Sequence, residues 1–419
     1  MKIATFSLVA AALVSSVVVA AELIDGYSYS YSTNKFVYSN FRTSGSYSDV
    51  TYMDEETGLC LSLPILIDGP LEPLNEELSA HFRGPIKLKQ FGVYYPSSNG
   101  VSKRDAGGLA KKGEVQCTLI EHHVHKHAKR EVAQVTKTVV LDQHGNTITP
   151  SNPAGGAATG AAAPGSDSSS SSGSGSSSSS ATDGWVRVSY YTPGSTTNCT
   201  ILNHKGGRGS GVWNSAFGNS ISYANEDNTD GSPTPVALGD VSIGSNEEFL
   251  IMSGLLCGDN SETQDCGFYR SGIPAYHGWN GGEKIFVFEF EMPYSPGTGF
   301  NMDMPAIWLL NSKIPRTLQY GKASCSCWGT GCGELDLFEV LKAGSNKMIT
   351  ALHAKLNGNC GSPNYINRPT LGSMKAVAIF TNEAIHVMRV DDSVSFDGVL
   401  SSSLVNEWVA VPGADITVH

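Results

Sequence analysis

Alternation of polar with aromatic or β-branched residues is the main pattern before residue 100 and again after residue 184. It recurs in residues 27–31 and 91–95 and is clearest in residues 284–292. A period of two predicts β-strands, and Gly, Asn, Pro and Ser separate the runs, without a convincing long amphipathic helix. Within residues 284–292 one face carries Phe286, Phe288, Phe290 and Met292, and the other carries Val287, Glu289 and Glu291. The pattern therefore predicts an all-β protein in which this strand has a core face and an open, polar face.

Composition divides the chain into four segments. Residues 1–21 combine Lys2, an apolar run and a small-residue end, which is typical of a secretory signal peptide. Residues 166–180 are almost all Ser and follow an Ala/Gly stretch, so we interpret residues 143–183 as a flexible linker. We expect a small N-terminal β domain in residues 22–142 and a larger all-β domain in residues 184–419.

The end of the N-terminal segment is basic and rich in histidine. Lys103-Arg104 and Lys129-Arg130 are candidate sites for a processing protease, and ordinary surface charge explains them equally well. Residues 122–127 contain four histidines, but the lysines and arginine around them oppose a cation. We therefore predict no metal site and no cofactor.

Charge narrows the class of partner. The 419 residues carry a net charge of −11, and only 16% of them are charged. Nucleic acids and anionic membranes both require a basic face, so neither is an expected partner. No apolar run beyond the signal peptide is long enough to span a bilayer. These features predict a secreted protein without a membrane span, and they leave its oligomeric state open.

Nine cysteines in a secreted chain predict disulfides, with at least one thiol left over. In the N-terminal segment Cys60 is a candidate partner of Cys117, and Cys257 with Cys266 closes a short polar loop. A further group of cysteines is expected to staple the loop before residue 334. A zinc site there is disfavoured by the one-residue spacing between Cys325 and Cys327 and by the oxidising compartment. Asn198 begins an N-glycosylation sequon. The cysteines expected to staple that loop are Cys325, Cys327, Cys332 and Cys360.

Three carboxylates recur in one strand-like run, residues 334–341. In a regular strand Glu334 and Asp336 share a face, and one bulge near residues 337–338 returns Glu339 to that face. Such crowding is unfavourable unless one group holds a proton. Glycoside hydrolysis uses that state, with one carboxylate as nucleophile and one neutral acid. Neighbouring positions predict carboxyl groups about 5–5.5 Å apart, the spacing of retaining enzymes. A solvated, charged strand is the structural alternative.

Sequence blocks around these carboxylates resemble the family 16 glycoside hydrolases. Residues 304–310 are similar to the P-A-x-W-L strand of that family, and residues 333–339 to its bulged G-E-[IL]-D-x-x-E motif. Residues 350–353 resemble the following T-x-L-H strand, and residues 378–391 a later pair ending in V-D-G. The resemblance implies a concanavalin-like β-jelly-roll sandwich.

The order of the blocks then departs from that family. A W-V-R-V strand at residues 185–188 opens the domain, although the family usually ends on such a strand. This arrangement, with the C-S-C-W stretch at residues 325–328, resembles the fungal cell-wall proteins described as circularly permuted 1,3-β-glucanases. The resemblance implies a secreted cell-wall endo-1,3-β-glucanase, a retaining glycoside hydrolase whose partner is wall β-glucan. A β-glucan transglycosylase and a non-catalytic glucan-binding wall protein are the alternatives.

Residue roles follow from the same resemblance. Glu334 is the expected nucleophile, Glu339 the general acid/base and Asp336 the residue between them. Trp308 and Trp328 are candidates for stacking on sugar rings. A core role for Trp308 and a hydrogen-bonded structural role for His353, the third substrate-binding candidate, remain open.

Overall fold

A computed structural model describes residues 22–24, 27–41, 44–97, 184–258, 266–354 and 358–418. Both β-rich segments expected from the sequence are present. The predicted signal peptide, the linker, the histidine run and the dibasic pairs lie outside the described residues.

The described chain consists of 25 strands, two α-helices and two short 3-10 helices. The strands are β1 (Glu22–Ile24), β2 (Tyr27–Tyr29), β3 (Lys35–Ser39), β4 (Ser44–Met53), β5 (Cys60–Asp68), β6 (Leu78–Arg83), β7 (Lys87–Pro96), β8 (Gly184–Thr192), β9 (Ser195–Thr197), β10 (Cys199–Asn203), β11 (Trp213–Asn214), β12 (Gly218–Asn219), β13 (Ser222–Ala224), β14 (Gly231–Ser232), β15 (Glu248–Ser253), β16 (Lys284–Glu291), β17 (Ala306–Asn311), β18 (Glu334–Glu339), β19 (Lys347–Ala354), β20 (Gly358–Gly361), β21 (Ile366–Asn367), β22 (Met374–Phe380), β23 (Ala384–Arg389), β24 (Val399–Ser401) and β25 (Ala414–Thr417). The helices are α1 (Lys313–Arg316) and α2 (Ser402–Ala410), and the 3-10 turns are Ala323–Cys325 and Trp328–Thr330.

Two large sheets pack face to face. The first has the order β14-β13-β10-β15-β6-β17-β18-β19-β20, and the second has the order β24-β8-β7-β16-β22-β23-β3-β25. Phenylalanines from both sheets meet in one core, where the rings of Phe82 and Phe249 stack with centroids 4.6 Å apart and Phe288 and Phe91 contact them from the second sheet. The predicted all-β sandwich is confirmed.

Strands from the N-terminal segment lie inside both sheets. In the first sheet β6 pairs with β15 on one side and β17 on the other, and in the second sheet β7 lies between β8 and β16. All six residues of β6 are buried. The N-terminal strands β6 and β7 therefore contribute to both large sheets. Alternation along each strand predicted the strands correctly but could not indicate which partners they pair with.

Two further contacts join segments that are distant in the sequence. The amide of Ser97 donates to the carbonyl of Gly184 at 2.8 Å, where β7 ends and β8 begins. The C-terminal strand β25 pairs in parallel with β3 near the start of the chain.

The outer face of the second sheet is covered by α2. Val287, expected on an open polar face, is buried in a cluster with Val405 and Trp408 of this helix. Ser401 caps the start of α2 by accepting a hydrogen bond from the amide of Leu404 at 3.2 Å. The helix has only nine residues, so its apolar stripe is too short to stand out in the sequence.

A buried lysine on β3 holds the other end of α2. Lys35 Nζ donates to the carbonyl oxygens of Trp408, Val409 and Val411 at 2.9, 2.7 and 2.8 Å. These carbonyls lie at the end of the helix or directly after it, where no further helical turn supplies amide donors; the carbonyl of Trp408 also accepts from the amide of Val411 at 3.3 Å. Lys35 therefore ties the C-terminal helix to the N-terminal segment of the chain.

Three disulfides join the described residues. The predicted Cys257–Cys266 bond is confirmed, and Cys327–Cys332 closes the loop before β18 as the staple prediction required. Cys60 bonds to Cys325, so the expected pairing with Cys117 is wrong for Cys60. The reason is that the hairpin formed by β4 and β5 folds back onto the loop before β18. Cys360 lies buried on β20.

Within the part of the chain that the structure describes, no helix is long and apolar enough to cross a membrane.

Candidate active site

The carboxylate strand β18 contains the predicted bulge. Asp336 pairs with Ala351 and Glu339 with Ile349, so residues 337 and 338 face a single residue of β19. The bulge allows Glu334, Asp336 and Glu339 to share the side of the first sheet that faces away from the core, which we call the carboxylate face. Leu335, Leu337 and Phe338 are wholly buried in the core on the other side.

Residues of the neighbouring strands form three rows across the carboxylate face, one through each acid. The row through Glu339 runs from β15 to β19 and contains Glu248, Arg83, Ala306, Glu339 and Ile349. The row through Asp336 runs between the same strands and contains Leu250, His81, Trp308, Asp336 and Ala351. The row through Glu334 runs from β6 to β19 and contains Ser79, Leu310, Glu334 and His353. Each acid thus has its own set of cross-strand neighbours. Glu334 and Glu339 lie at opposite ends of the patch, with Asp336 between them.

Glu334 lies beside the loop that the Cys327–Cys332 bond closes. The indole Nε1 of Trp328 donates a hydrogen bond to Glu334 Oε2. Trp328 is half-buried and packs against an apolar cluster that includes Tyr47 and Ile67 of the β4–β5 hairpin. The structure therefore places Trp328 at the predicted nucleophile, where it holds the carboxylate in position.

Asp336 is fully buried and bonded to His353. The Oδ2 atom of Asp336 lies 3.1 Å from His353 Nε2. Burial and then the charges of Glu339 and Glu334 raise the pKa of Asp336 to about 7, although the hydrogen bond from His353 opposes the shift. Burial alone would lower the pKa of His353, but its hydrogen bond and attraction to Asp336 raise that pKa to about 10. His353 thus partners the central acid, and its expected contact with substrate stays a prediction.

Glu339 forms an ion pair that the sequence did not indicate. Arg83 Nη2 lies 3.0 Å from Glu339 Oε1, and both side chains are at most 3% exposed. Arg83 is fixed further by a hydrogen bond from its Nε to the carbonyl of Met304 at 2.8 Å. Such a charged, buried pair gives Glu339 one orientation on the sheet.

Trp308 lies on the carboxylate face. Its ring stacks on His81 with centroids 5.5 Å apart, and the Arg83 guanidinium lies 5.8 Å from its ring centre. Burial keeps the pKa of His81 well below its usual value, so this imidazole is neutral. Trp308 is only 3% exposed, so it contributes more to the packing of this face than to an open sugar platform.

The β4–β5 hairpin covers part of this face. Tyr47 and Ile67 belong to one buried apolar cluster with Trp308 and Leu310, and the amide of Ser48 donates to Thr330 Oγ1 at 3.0 Å. The three acids are 1 to 3% exposed. A polymer reaches them only after some of the groups above them move.

All six site residues predicted from the sequence thus lie on or beside the carboxylate face. The sequence did not reveal Arg83, His81, Glu248 and Tyr320, which come from distant strands and a loop.

Among the described residues, one group has metal-ligand spacing, Cys257, Cys266 and His277, but its sulfurs are joined in a disulfide. A disulfide sulfur is no thiolate ligand.

Two protein-family models match this chain. Residues 183–408 match the family described as Cell wall protein YJL171C/Tos1, C-terminal, and residues 34–96 match its N-terminal counterpart. No solved structure matches.

Curated relatives match along almost the whole chain. A Candida albicans protein named probable circularly permuted 1,3-beta-glucanase TOS1 is 48% identical, covering 93% of each chain. A Saccharomyces cerevisiae protein of the same name is 45% identical, covering 92% of each. A Schizosaccharomyces pombe protein also named a probable circularly permuted 1,3-beta-glucanase is 35% identical over 92% of each. The family resemblance and the cell-wall localisation predicted from the sequence are confirmed: the chain belongs to the Tos1/YJL171C family of cell wall proteins.

Proposed function

We propose that this chain is a retaining glycoside hydrolase that cleaves 1,3-β-glucan in the fungal cell wall. The observation that carries the proposal is the set of three buried carboxyl groups on one face of a bulged strand. The names of the relatives supply the substrate class. A neutral glucan requires no basic surface, so it is compatible with a chain of net charge −11.

Each carboxyl group has a distinct role in this mechanism. Glu334 attacks the anomeric carbon and forms a glycosyl-enzyme bond while Glu339 protonates the departing glycosidic oxygen. Glu339 then takes a proton from water, which attacks the same carbon and releases Glu334. Asp336, whose pKa is raised towards neutrality, holds a proton between the two glutamates and reduces their repulsion.

Hydrolysis and transglycosylation differ in the last step only. A sugar hydroxyl in place of water would resolve the same glycosyl-enzyme and lengthen a second glucan chain. Both outcomes use Glu334 and Glu339 in the same way.

Purified protein incubated with 1,3-β-gluco-oligosaccharides tests the proposal. We expect Glu334→Gln to lower turnover at least about a thousandfold, and Glu339→Gln to cripple turnover while glucan binding is retained. Glu383→Gln, an exposed carboxylate in the turn between β22 and β23, is the matched control and should behave as wild type.

The products separate the candidate functions. Shorter oligosaccharides support hydrolysis, and products longer than those supplied identify a transferase. If the wild-type protein binds glucan and yields neither kind of product, the chain is a glucan-binding wall protein and the enzyme proposal is wrong.

A further inference from the structure

A line of charged side chains leads from Glu339 across the carboxylate face. Arg83 on β6 pairs with Glu339, and on its other side Arg83 is the cross-strand neighbour of Glu248 on β15. The hydroxyl of Tyr320, on the loop that follows α1, donates a hydrogen bond to Glu248 Oε2. Arg83 therefore lies between two carboxylates, one of which is the proposed general acid.

The ion pair with Arg83 affects whether Glu339 can hold a proton. A general acid must hold a proton before the glycosidic bond breaks. A buried arginine with Glu339 as its sole counter-ion would strongly favour the carboxylate form of Glu339. A second carboxylate at Arg83 neutralises the guanidinium when Glu339 is protonated, so the neutral acid no longer leaves an uncompensated buried cation.

The surroundings of Arg83 and Tyr320 favour a charged arginine and a neutral phenol. Burial opposes the charged form of Arg83, but the negative charges of Glu339 and then Glu248 raise its pKa. Burial, the charge of Glu248 and the hydrogen bond to it raise the pKa of Tyr320 well above its usual value. Tyr320 thus remains a neutral phenol that donates to Glu248.

We propose that Glu248 is a positioning residue that acts through Arg83 to keep Glu339 able to hold a proton, with Tyr320 fixing Glu248 in place. The inference rests on the proposed function, since it assigns a general-acid role to Glu339. None of Arg83, Glu248 and Tyr320 is required to touch the substrate.

Other charged groups also face Glu339. Asp336 and Glu334 on its own strand raise its affinity for protons, and His353 on β19, when charged, lowers it. Because these groups are the same in every variant compared below, a change in the titration of Glu339 reports on Glu248 and Tyr320.

Glu248→Gln tests the proposal because it removes the charge and keeps an oxygen that accepts from Tyr320. Two strands separate Glu248 from Glu339, which places the charges about 10–14 Å apart. At an effective dielectric constant of about 20, loss of one negative charge at that distance lowers the pKa of Glu339 by about one unit. Tyr320→Phe removes the hydrogen bond that fixes Glu248 beside Arg83, so it should lower the pKa of Glu339 by less than Glu248→Gln does.

Two readouts separate this inference from the proposed function. Carbon-13 NMR titration of glutamate carboxyl groups in the full-length protein, with the Glu339 signal assigned from Glu339→Gln, gives the pKa without any substrate. The alkaline limb of the pH profile of kcat/KM on 1,3-β-gluco-oligosaccharides reports the same group during turnover. Glu247→Gln is the control, because Glu247 is half-exposed and pairs with Lys205 at the surface.

We expect both readouts to move down by about one pH unit in Glu248→Gln and to stay unchanged in Glu247→Gln. An unchanged Glu339 titration in Glu248→Gln overturns the inference even if the protein cleaves glucan. If Glu248→Gln does not fold, an upward or absent shift in Tyr320→Phe overturns it instead. If the wild-type protein releases no product, the proposed function is wrong, and the NMR titration alone decides whether Glu248 controls Glu339.

Discussion

The Cys60–Cys325 disulfide should make the largest disulfide contribution to stability among the bonds described. It joins positions 265 residues apart, whereas Cys257–Cys266 spans only 9. A crosslink restricts the unfolded chain by an entropy that grows with the logarithm of the loop length, which corresponds to about 5.6 kcal/mol for the long loop and about 2.6 kcal/mol for the short one. Replacing both cysteines of the long loop by alanine should therefore cost about 3 kcal/mol more than the same change in the short loop.

Urea unfolding of the two double variants measures this difference. Cys60→Ala with Cys325→Ala should lower the free energy of unfolding more than Cys257→Ala with Cys266→Ala. The second pair is a matched control, because three of the four sulfurs are buried and each change leaves a similar small cavity. Equal losses would refute the entropic reasoning. A non-reducing peptide map that joins Cys60 to any residue other than Cys325 would refute the placement of the β4–β5 hairpin.

Three further predictions concern the fold and the central acid. Replacing residues 98–183 by an Asn-Gly turn should leave thermal unfolding cooperative, because the flanking residues are hydrogen-bonded neighbours; aggregation of this variant, when a Gly/Ser segment of equal length folds, would contradict it. Lys35→Met removes the Lys35 hydrogen bonds to three helix-end carbonyls and should lower the free energy of unfolding by about 3 kcal/mol in a denaturant titration. A loss below about 1 kcal/mol would show that Lys35 does not hold the end of α2. The pKa values of Asp336 and His353 are raised in the folded state, to about 7 and about 10, so these two groups bind more protons in the folded than in the unfolded chain, and their contribution to stability should fall from pH 5 to pH 9. Asp336→Asn should flatten this pH dependence, and an equally steep fall in that variant would contradict the assignment.

Local sequence signals were sufficient for the strand that carries the acids. Period-two alternation placed Glu334 and Asp336 on one face, and the extra residue before Glu339 required a bulge, which the structure contains at the expected position. These features depend only on neighbours along one strand. The predicted separation of 5–5.5 Å between the carboxyl groups stays a prediction.

Features that depend on contacts between distant segments could not be predicted. Arg83 precedes Glu339 by more than 250 positions, and neither residue differs in type from ordinary surface charge. The same holds for Cys60, whose partner is set by the folding of the β4–β5 hairpin over the carboxylate face. The separate N-terminal domain was expected because a Ser-rich segment usually marks a domain boundary. The strands that flank this segment in the sequence, β7 and β8, are adjacent in one sheet.

The covalent intermediate on Glu334 is the central claim, and trapping it is the most direct test. A 2-deoxy-2-fluoro-β-1,3-glucosyl fluoride combines a good leaving group with a slowed second step, so a retaining enzyme accumulates the glycosyl-enzyme. We predict a mass increase of one glycosyl unit on the peptide that contains Glu334, and none in Glu334→Gln. Label on a different residue, or cleavage of 1,3-β-glucan by an enzyme that never becomes labelled, would contradict the account.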